Sequence, residues 1–573
     1  MEEERSRNLL SLLKRRGIIF PAFEVHGGVA GLFDYGPVGG RLRRRVQQSW
    51  VDHFLQMGNI VEIDSPTLTP HSVLEASGHV GAFNDHASEC AACTAVFRSD
   101  HLLEAHHSNP DSLAASDLDE LLAEHGVACP SCDEQNWHGA RPLNLMFATR
   151  IGATGGGRQA FMRPETAQGM FLTYPSLYRH FRNRLPFGAI QVGKGYRNEI
   201  SPRQGMIRQR EFNMAELEYF IDPEASLNHD LTHWNTRPFN LVPDPQGPTP
   251  EPSQMTIDDA VSSGVVRHAT VGLFMALTHD FLVAVGCDPE RIRFRQHEGD
   301  EMAHYASDCW DCELHGSYGW IETVGIAHRG CYDLEAHEQA TGNKELRAWR
   351  EFDEPRTVVK DILAPIGGVV GPAFRDQASQ VNEALAALEQ LPDSLPFNLT
   401  LGNGDVVTIE ENMVEARRVE EVARGEWFLP HVIEPAFGID RIIWHIVDHA
   451  HEETEKEGEP YVILHLSEGV APYDVSVLPL FEKDGMGELA RILHQRILGI
   501  RGIQSQYDAS QSIGRRYARA DEIGTPWAVT VDHASLEDGT VTVRRRDDQQ
   551  QIRVNQDDLC EHLARGSVSS LFS

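Results

Sequence analysis

Lysine is nearly absent from this chain. Lys14, Lys194, Lys344, Lys360, Lys456 and Lys483 are all there is, and arginine supplies the rest of the 51 basic residues. Against them stand 85 aspartates and glutamates, a net charge of −34. In dilute buffer so acidic a surface repels phosphates, which argues against a nucleic-acid partner. In molar salt the screening length falls to about 3 Å, and only arginines at contact range still count. The excess therefore reads as a solvated, halophile-like surface over an ordinary enzyme. Also missing are an apolar run long enough to span a bilayer and a signal-peptide pattern in the charged start MEEERSRNLL. The expectation is a cytoplasmic protein that does not enter a membrane, where structural disulfides are not expected.

Cysteine is scarce and unevenly spread. Cys90-x-x-Cys93 and Cys129-x-x-Cys132 form two knuckles, Cys309-x-x-Cys312 is a third pair, and Cys287, Cys331 and Cys560 stand alone. Two C-x-x-C knuckles with a stretch between them point to tetrahedral Zn²⁺ held by Cys90, Cys93, Cys129 and Cys132. Four thiolates leave no position for a substrate, so such a site is structural. His101, His106 and His107 are competing ligands by residue type, but the spacing favours the cysteines. The gap between the knuckles holds an acidic helical stretch, Asp117 to His125. Cys312 is expected to pack beside Cys309 as a reduced thiol.

The most informative stretch is FGAIQVGKGYRNEISPRQGMIRQREFNMAELEYFID, residues 187–222. It reads as a strand (Ala189 to Tyr196), a polar loop (Asn198 to Gln209) and a second strand (Glu211 to Ile221). Side chains alternate along a strand, so Glu216 and Glu218 share one face and Leu217 and Tyr219 the other. Arg197 and Glu199 leave the end of the first strand, and Arg208 and Arg210 return beside them. Arginine's planar fork suits phosphate oxygens, carboxylates suit an ammonium, and Phe212 offers a ring to a base. A salt-bridged surface hairpin would look the same from this stretch alone.

An arginine, one residue, a glutamate, a loop and a returning Arg-Glu-Phe resembles the second motif of class II aminoacyl-tRNA synthetases. The wording GKGYRNEISPRQG…RQREF…AELEYF, with RPETAQG at 163–169, resembles the glycyl-tRNA synthetases of the archaeal and eukaryotic homodimeric type. A helix at Arg41 to Met57, a strand in NIVEID and Pro66 are similar to the first motif, and LPHVIEPAFGIDRIIWHIVDHA (429–450) to the third. The resemblance implies an α+β fold: an antiparallel sheet flanked by helices, with insertions and a C-terminal α/β anticodon-binding domain. Its implied parts are 1–88 with the first motif, 89–142 as the knuckle insertion and 143–222 with the second motif. There follow 223–290 as an insertion, 291–350 as core, 351–427 as a small insertion domain, 428–456 with the third motif, and 457–573.

The implied activity is glycine activation by ATP, with Mg²⁺, to glycyl-adenylate, then transfer to the 3′ end of tRNA(Gly) by a homodimer. Arg197, Glu322 and Arg441 are the implied catalytic residues. Arg197, Asn198, Glu199, Arg208, Gln209, Phe212, Glu322, Thr323 and Arg441 are the implied ATP contacts. Arg98, Glu165, Glu216, Arg329, Glu434 and the position of Ala436 are the implied glycine pocket. Ala436 is a departure, since the family usually has serine there. Glu322 lies among apolar residues in a strand, an expensive place for a carboxylate without a cation.

Elsewhere, Leu143 to Thr149 and Gln159 to Met162 look like two strands about a glycine-rich turn. Residues 241–254 read as a proline-rich loop and Thr256 to Gly286 as helical. Arg515, Arg516 and Arg519 fall on nearly one helix face, with Arg544 to Arg546 close in a hairpin; they are conspicuous on so acidic a chain, with plain surface arginines as the alternative. Two rival readings remain open: another class IIa synthetase (prolyl, threonyl or histidyl) and a non-catalytic tRNA-binding paralogue.

Overall fold

Leu42, Val46, Trp50 and Phe54 recur every fourth residue, so the helix they lie on buries one stripe and presents Arg41, Arg44, Gln48 and Asp52 on its other sides. The computed structural model describes the chain except residues 1, 108–109, 111–112, 154–155, 201, 203–204, 226, 228, 244–250, 298–306, 389–390, 393, 457 and 573. The middle of the proline-rich stretch and of the glycine-rich turn lies outside the described residues. The helices used below are α1 (Glu2–Arg15), α2 (Gly39–Leu55), α3 (Ala167–His180), α4 (Ala269–Ala284), α5 (Tyr332–Thr341) and α6 (Ile439–Ala450). No helix among the described residues is long and apolar enough to cross a membrane.

The chain divides into two compact units, Met1–Leu346 with Pro430–Ser573, and Arg347–Leu429. The first is built on a nine-stranded sheet. Its strands in chain order are β1 (Ile60–Glu62), β2 (Phe187–Tyr196), β3 (Glu211–Ile221), β4 (Phe239–Val242) and β5 (Ser253–Met255). They continue with β6 (Ile292–Gln296), β7 (Asp308–Gly316), β8 (Gly319–Gly330) and β9 (His431–Gly438). In space they run β5-β4-β6-β7-β8-β9-β3-β2-β1. All neighbours are antiparallel except β2 with β1 and β4 with β6. The fold is α+β, as expected.

One face of this sheet is dry. Trp50 and Phe54 of α2 meet the Phe437 ring of β9 at 5.5 Å, and Phe281 of α4 meets it at 5.7 Å. α4 is apolar on nearly every side, and accordingly it is almost wholly buried. The expected single helical stretch 256–286 is in fact two helices, Ile257–Ser262 and α4. The other face carries the charges.

The expected strand Leu143 to Thr149 is broken. Arg141–Asn144 pairs with Asn84–Glu89, whereas Ala148–Ile151 pairs with Arg158–Met162 in another sheet. Leu145 and Met146 between them turn inward to separate small cores. Cys309 and Cys312 also separate, because three residues along a strand is an odd number. Cys312 joins the apolar core while Cys309 faces the charged side.

A five-stranded sheet ends the first unit, in the order Ser505–Tyr507, Val475–Pro479, Trp527–Val531, Thr540–Arg545, Gln551–Asn555. Its arginines correct the sequence reading. Arg544 is fully buried, with both Nη atoms 2.9 Å from Asp521. Arg516 is buried too, donating to the carbonyl oxygens of Pro479, Ser510 and Gln511. Arg546 caps the carbonyl of Gly524. These guanidiniums hold loops to the sheet. Arg515 remains exposed. The second unit is a long two-stranded ribbon, Ala348–Pro365 with Val414–Phe428, carrying its own core around Val370, Val381, Leu385 and Ile409.

Candidate active site

The charged face is organised by register. Glu216 of β3 lies opposite Gln191 of β2 and Ala436 of β9, and Ala436 lies opposite Gly325 of β8. One row along, Glu434 of β9 lies opposite Ala327 of β8. Glu218, two residues from Glu216, is beside that row.

Above β3, β8 and β9 opens a cleft with about 750 Å³ of open space, its solvent-facing mouth included. Arg197, Glu199, Arg208, Gln209, Phe212, Glu216, Glu322, Thr323, Ala436 and Arg441 all line it. Arg197 projects between the rings of Phe83 and Phe212, 5.3 and 5.4 Å from their centroids. It makes no ion pair with a carboxylate among the described residues. Gly195 permits this, since a Cβ there would lie 2.7 Å from the Phe212 ring. Arg441, at the start of α6, donates to the carbonyls of Ile207 and Glu322 at 3.1 and 2.8 Å. Its helix is anchored by Asp440, which accepts from the backbone and side chain of Asn213 and from the Tyr35 hydroxyl. Arg208 donates to His101.

Glu322 is not buried, contrary to the cost argued from its apolar neighbours. Its side chain is 51% exposed to the cleft and lies 3.3 Å from Arg441. Glu313 stands directly across from it on β7, tied to Arg293 at 2.6 Å. The Thr323 hydroxyl donates to the carbonyl of Cys312.

Beside the cleft sits a buried acidic cage. Arg329 is clasped by Glu434 at 2.8 Å and Asp333 at 2.9 Å. Gln168 on α3 donates to Asp333 and Glu165, and His79 lies 3.4 Å from Glu165. Glu216 accepts from the backbone N–H of Thr166 at 2.7 Å and from its hydroxyl. Burial raises the Glu216 carboxyl, and the charges of Glu434 and Glu165 raise it further, to about 8. Burial likewise lifts Glu218 well above the usual range, and neither of its oxygens has a hydrogen-bond partner among the described residues. Burial opposes ionisation of Glu165 too, but His79 and Arg329 overcome it and hold that group low. So Glu165 is ionised, while Glu216 and Glu218 wait for a cation.

Two expected residues lie elsewhere. Asn198 is tied by its backbone N–H to the carbonyl of Leu145 and does not line the cleft. Arg98 is clasped by Asp85 and Asp100, each at 2.7 Å, and is not brought into the cage. Sequence reasoning missed His79, Thr166, Gln168, Asp333, Phe83 and Asp440. Asp333 had a signal, four residues after Arg329 where a helix begins; His79 and Phe83 had none.

The relatives decide the family. The chain is 41% identical to the glycine–tRNA ligase of Methanothrix thermoacetophila, over 99% of its own length and 98% of that protein's. It is 42% identical to that of Methanocaldococcus jannaschii over 98% and 99%, and 42% identical to that of Methanothermobacter thermautotrophicus over 97% and 98%. The chain belongs to the glycine–tRNA ligase family. Residues 474–565 match the anticodon-binding domain family, which covers the five-stranded C-terminal sheet. In this family member, then, the cation-lined cleft and acidic cage stand on the central sheet, and an anticodon-binding domain follows it in the same chain.

The four knuckle cysteines also meet. Cys90 and Cys132 have their sulfurs 3.6 Å apart, and Cys93 and Cys129 3.7 Å apart, too far for disulfides. A tetrahedron of Zn–S bonds of about 2.3 Å has edges of about 3.8 Å, so these residues fit that metal.

Proposed function

We propose that this chain activates glycine with ATP and joins it to the 3′ end of tRNA(Gly). The observation that carries this is the buried cage of Glu165, Glu216 and Glu434 around Arg329, set beside a cleft lined by Arg197, Arg208 and Arg441. Glycine's ammonium would neutralise the carboxylates, and its carboxylate would turn toward the α-phosphate. Arg197 meets the charge that builds on that phosphate, Arg208 and Arg441 the outer phosphates, and Phe212 stacks on the adenine. Mg²⁺, when bound with ATP, would be held by Glu322, with Glu313 across the strand pair, and would neutralise phosphate charge. Positioning and charge neutralisation carry the rate, since little covalent chemistry falls to the protein. The missing hydroxyl at Ala436 is offset by Thr166, which already orients Glu216.

The four-cysteine knuckle is a structural Zn²⁺ site. The protein is a cytoplasmic homodimer with a salt-adapted surface. The test is amino-acid-dependent ATP–pyrophosphate exchange with glycine, proline, threonine and histidine, run across KCl concentration, with sedimentation in the same buffers. Glycine alone should support exchange, activity should collapse at low KCl, and the active species should be a dimer. Exchange driven by another amino acid, or by none, refutes the assignment; full activity in dilute buffer refutes the salt adaptation.

Glu216 makes glycine binding pH-dependent. Its proton is held in the free site up to about pH 8 and is released when an ammonium takes its place. Below pH 8 binding therefore costs a proton, and the apparent KM for glycine should fall about tenfold per pH unit from 6 to 8, then level off. Glu216→Gln should flatten that profile while leaving the KM for ATP nearly unchanged. A wild-type profile already flat from pH 6 to 8 would contradict the cage.

A further inference from the structure

Two strands away from Glu434, on the same charged face, lies a group the proposed reaction does not use. Cys309 and Asp311 occupy alternate positions on β7, opposite Ala327 and Gly325 of β8, while Trp310 and Cys312 turn into the core. His297 directly follows β6, and its backbone N–H donates to the carbonyl of Cys309 at 3.0 Å, which fixes it beside them. One ring nitrogen, the thiol sulfur and one carboxylate oxygen all lie within 4.8 Å of one another. The imidazole Nε2 is 2.9 Å from Asp311, yet neither ring nitrogen makes an aligned hydrogen bond among the described residues. The three ligand atoms converge on one point, where His297 now pairs with Asp311 and Cys309.

We infer that His297, Cys309 and Asp311 form a second zinc site, independent of the four-cysteine knuckle. The donor set decides the ion. A thiolate excludes Mg²⁺ and Ca²⁺, which take oxygen ligands, and thiolate with imidazole and carboxylate is the mixed set that Zn²⁺ accepts. Three protein ligands leave the fourth tetrahedral position open, the arrangement of a site that binds water or a small Lewis base. That position is on the face of the sheet where Gly325 and Ala327, with almost no side chain, separate β7 from β9. Adjacent strands are about 4.8 Å apart, so the ion would stand about 10 Å from Glu434. It neighbours the acidic cage but cannot touch an ammonium held there. Ligands from β7 and from the residue after β6 would pin the margin of the sheet beside the cleft.

The test is metal content of the full-length protein purified with micromolar zinc, measured by mass spectrometry for wild type, Cys309→Ser and His297→Gln. Wild type should carry two equivalents and each variant one. In wild type, iodoacetamide labelling of Cys309, mapped on peptides, should rise on adding a chelator and fall again when zinc is restored. This second readout decides the matter if a variant fails to fold. Unchanged metal content in both variants, or Cys309 labelling that ignores chelator and zinc, overturns the site and leaves His297 and Asp311 as a plain ion pair. Neither readout depends on which amino acid the enzyme activates.

Discussion

Arg197→Lys is expected to lower kcat/KM for glycine-dependent pyrophosphate exchange by about 10²–10³-fold, or about 2.7–4 kcal/mol, the scale for losing a preorganised donor at a developing charge. The reason is geometric. The guanidinium is held between Phe83 and Phe212 with no carboxylate paired to it among the described residues, and while its Nε reaches the Pro164 carbonyl at 3.4 Å, its Nη donors stay available for a phosphate. A lysine keeps the charge but not the planar fork, and its ammonium cannot stack between two rings. Its backbone setting would survive, because the Arg197 N–H to Arg210 carbonyl bond closing the hairpin does not involve the side chain. Thermal stability should therefore move little while activity collapses. A loss below tenfold in exchange, with the fold intact, would mean that the α-phosphate is met by some other group.

The hairpin that bears Arg197 was legible in sequence because alternation and residue type agree there. Glu216 and Glu218 fall on one face with Leu217 and Tyr219 on the other, and the strand Glu211–Ile221 is found with those bounds. Several residues that line the cleft could be named for the same reason: Arg197 and Phe212 sit at the facing ends of the two strands, and Arg441 at the start of α6. The cage was only half legible. Glu165, Glu216 and Glu434 could be named, but their partners arrive from α3, from α5 and from the short helix at His79, and only folding brings those together. Burial was the hardest quantity to read. Glu322 sits between apolar neighbours in sequence and yet faces a cleft, whereas Arg544 in a polar hairpin sequence is wholly buried. Local composition does not say which face of a strand another element will cover.

Arg329→Leu should show how much of the cage rests on one cation, and its expected cost is about 3–5 kcal/mol of unfolding free energy. The substitution leaves Glu434 and Asp333 buried with their charge uncompensated, since Arg329 is 6% exposed and bonded to both. Leucine fills much of the space, so cavity formation is not the main term. The sign of the pH dependence distinguishes charge from packing. Burial already raises the Glu434 carboxyl and Arg329 opposes that rise, so without the guanidinium Glu434 holds its proton in the folded state at pH values where the unfolded chain has lost it. Stability of the variant then falls as pH rises from 5 to 8, and its deficit against wild type shrinks toward pH 5. Adding Glu434→Gln removes one of the stranded charges and should recover part of the loss without restoring glycine activation. Urea unfolding at fixed high salt, at pH 5 and pH 8, measures all three proteins. A deficit under 1 kcal/mol that does not change with pH would mean that solvent, not Arg329, compensates these carboxylates, and the cage could not then demand a cation from its substrate.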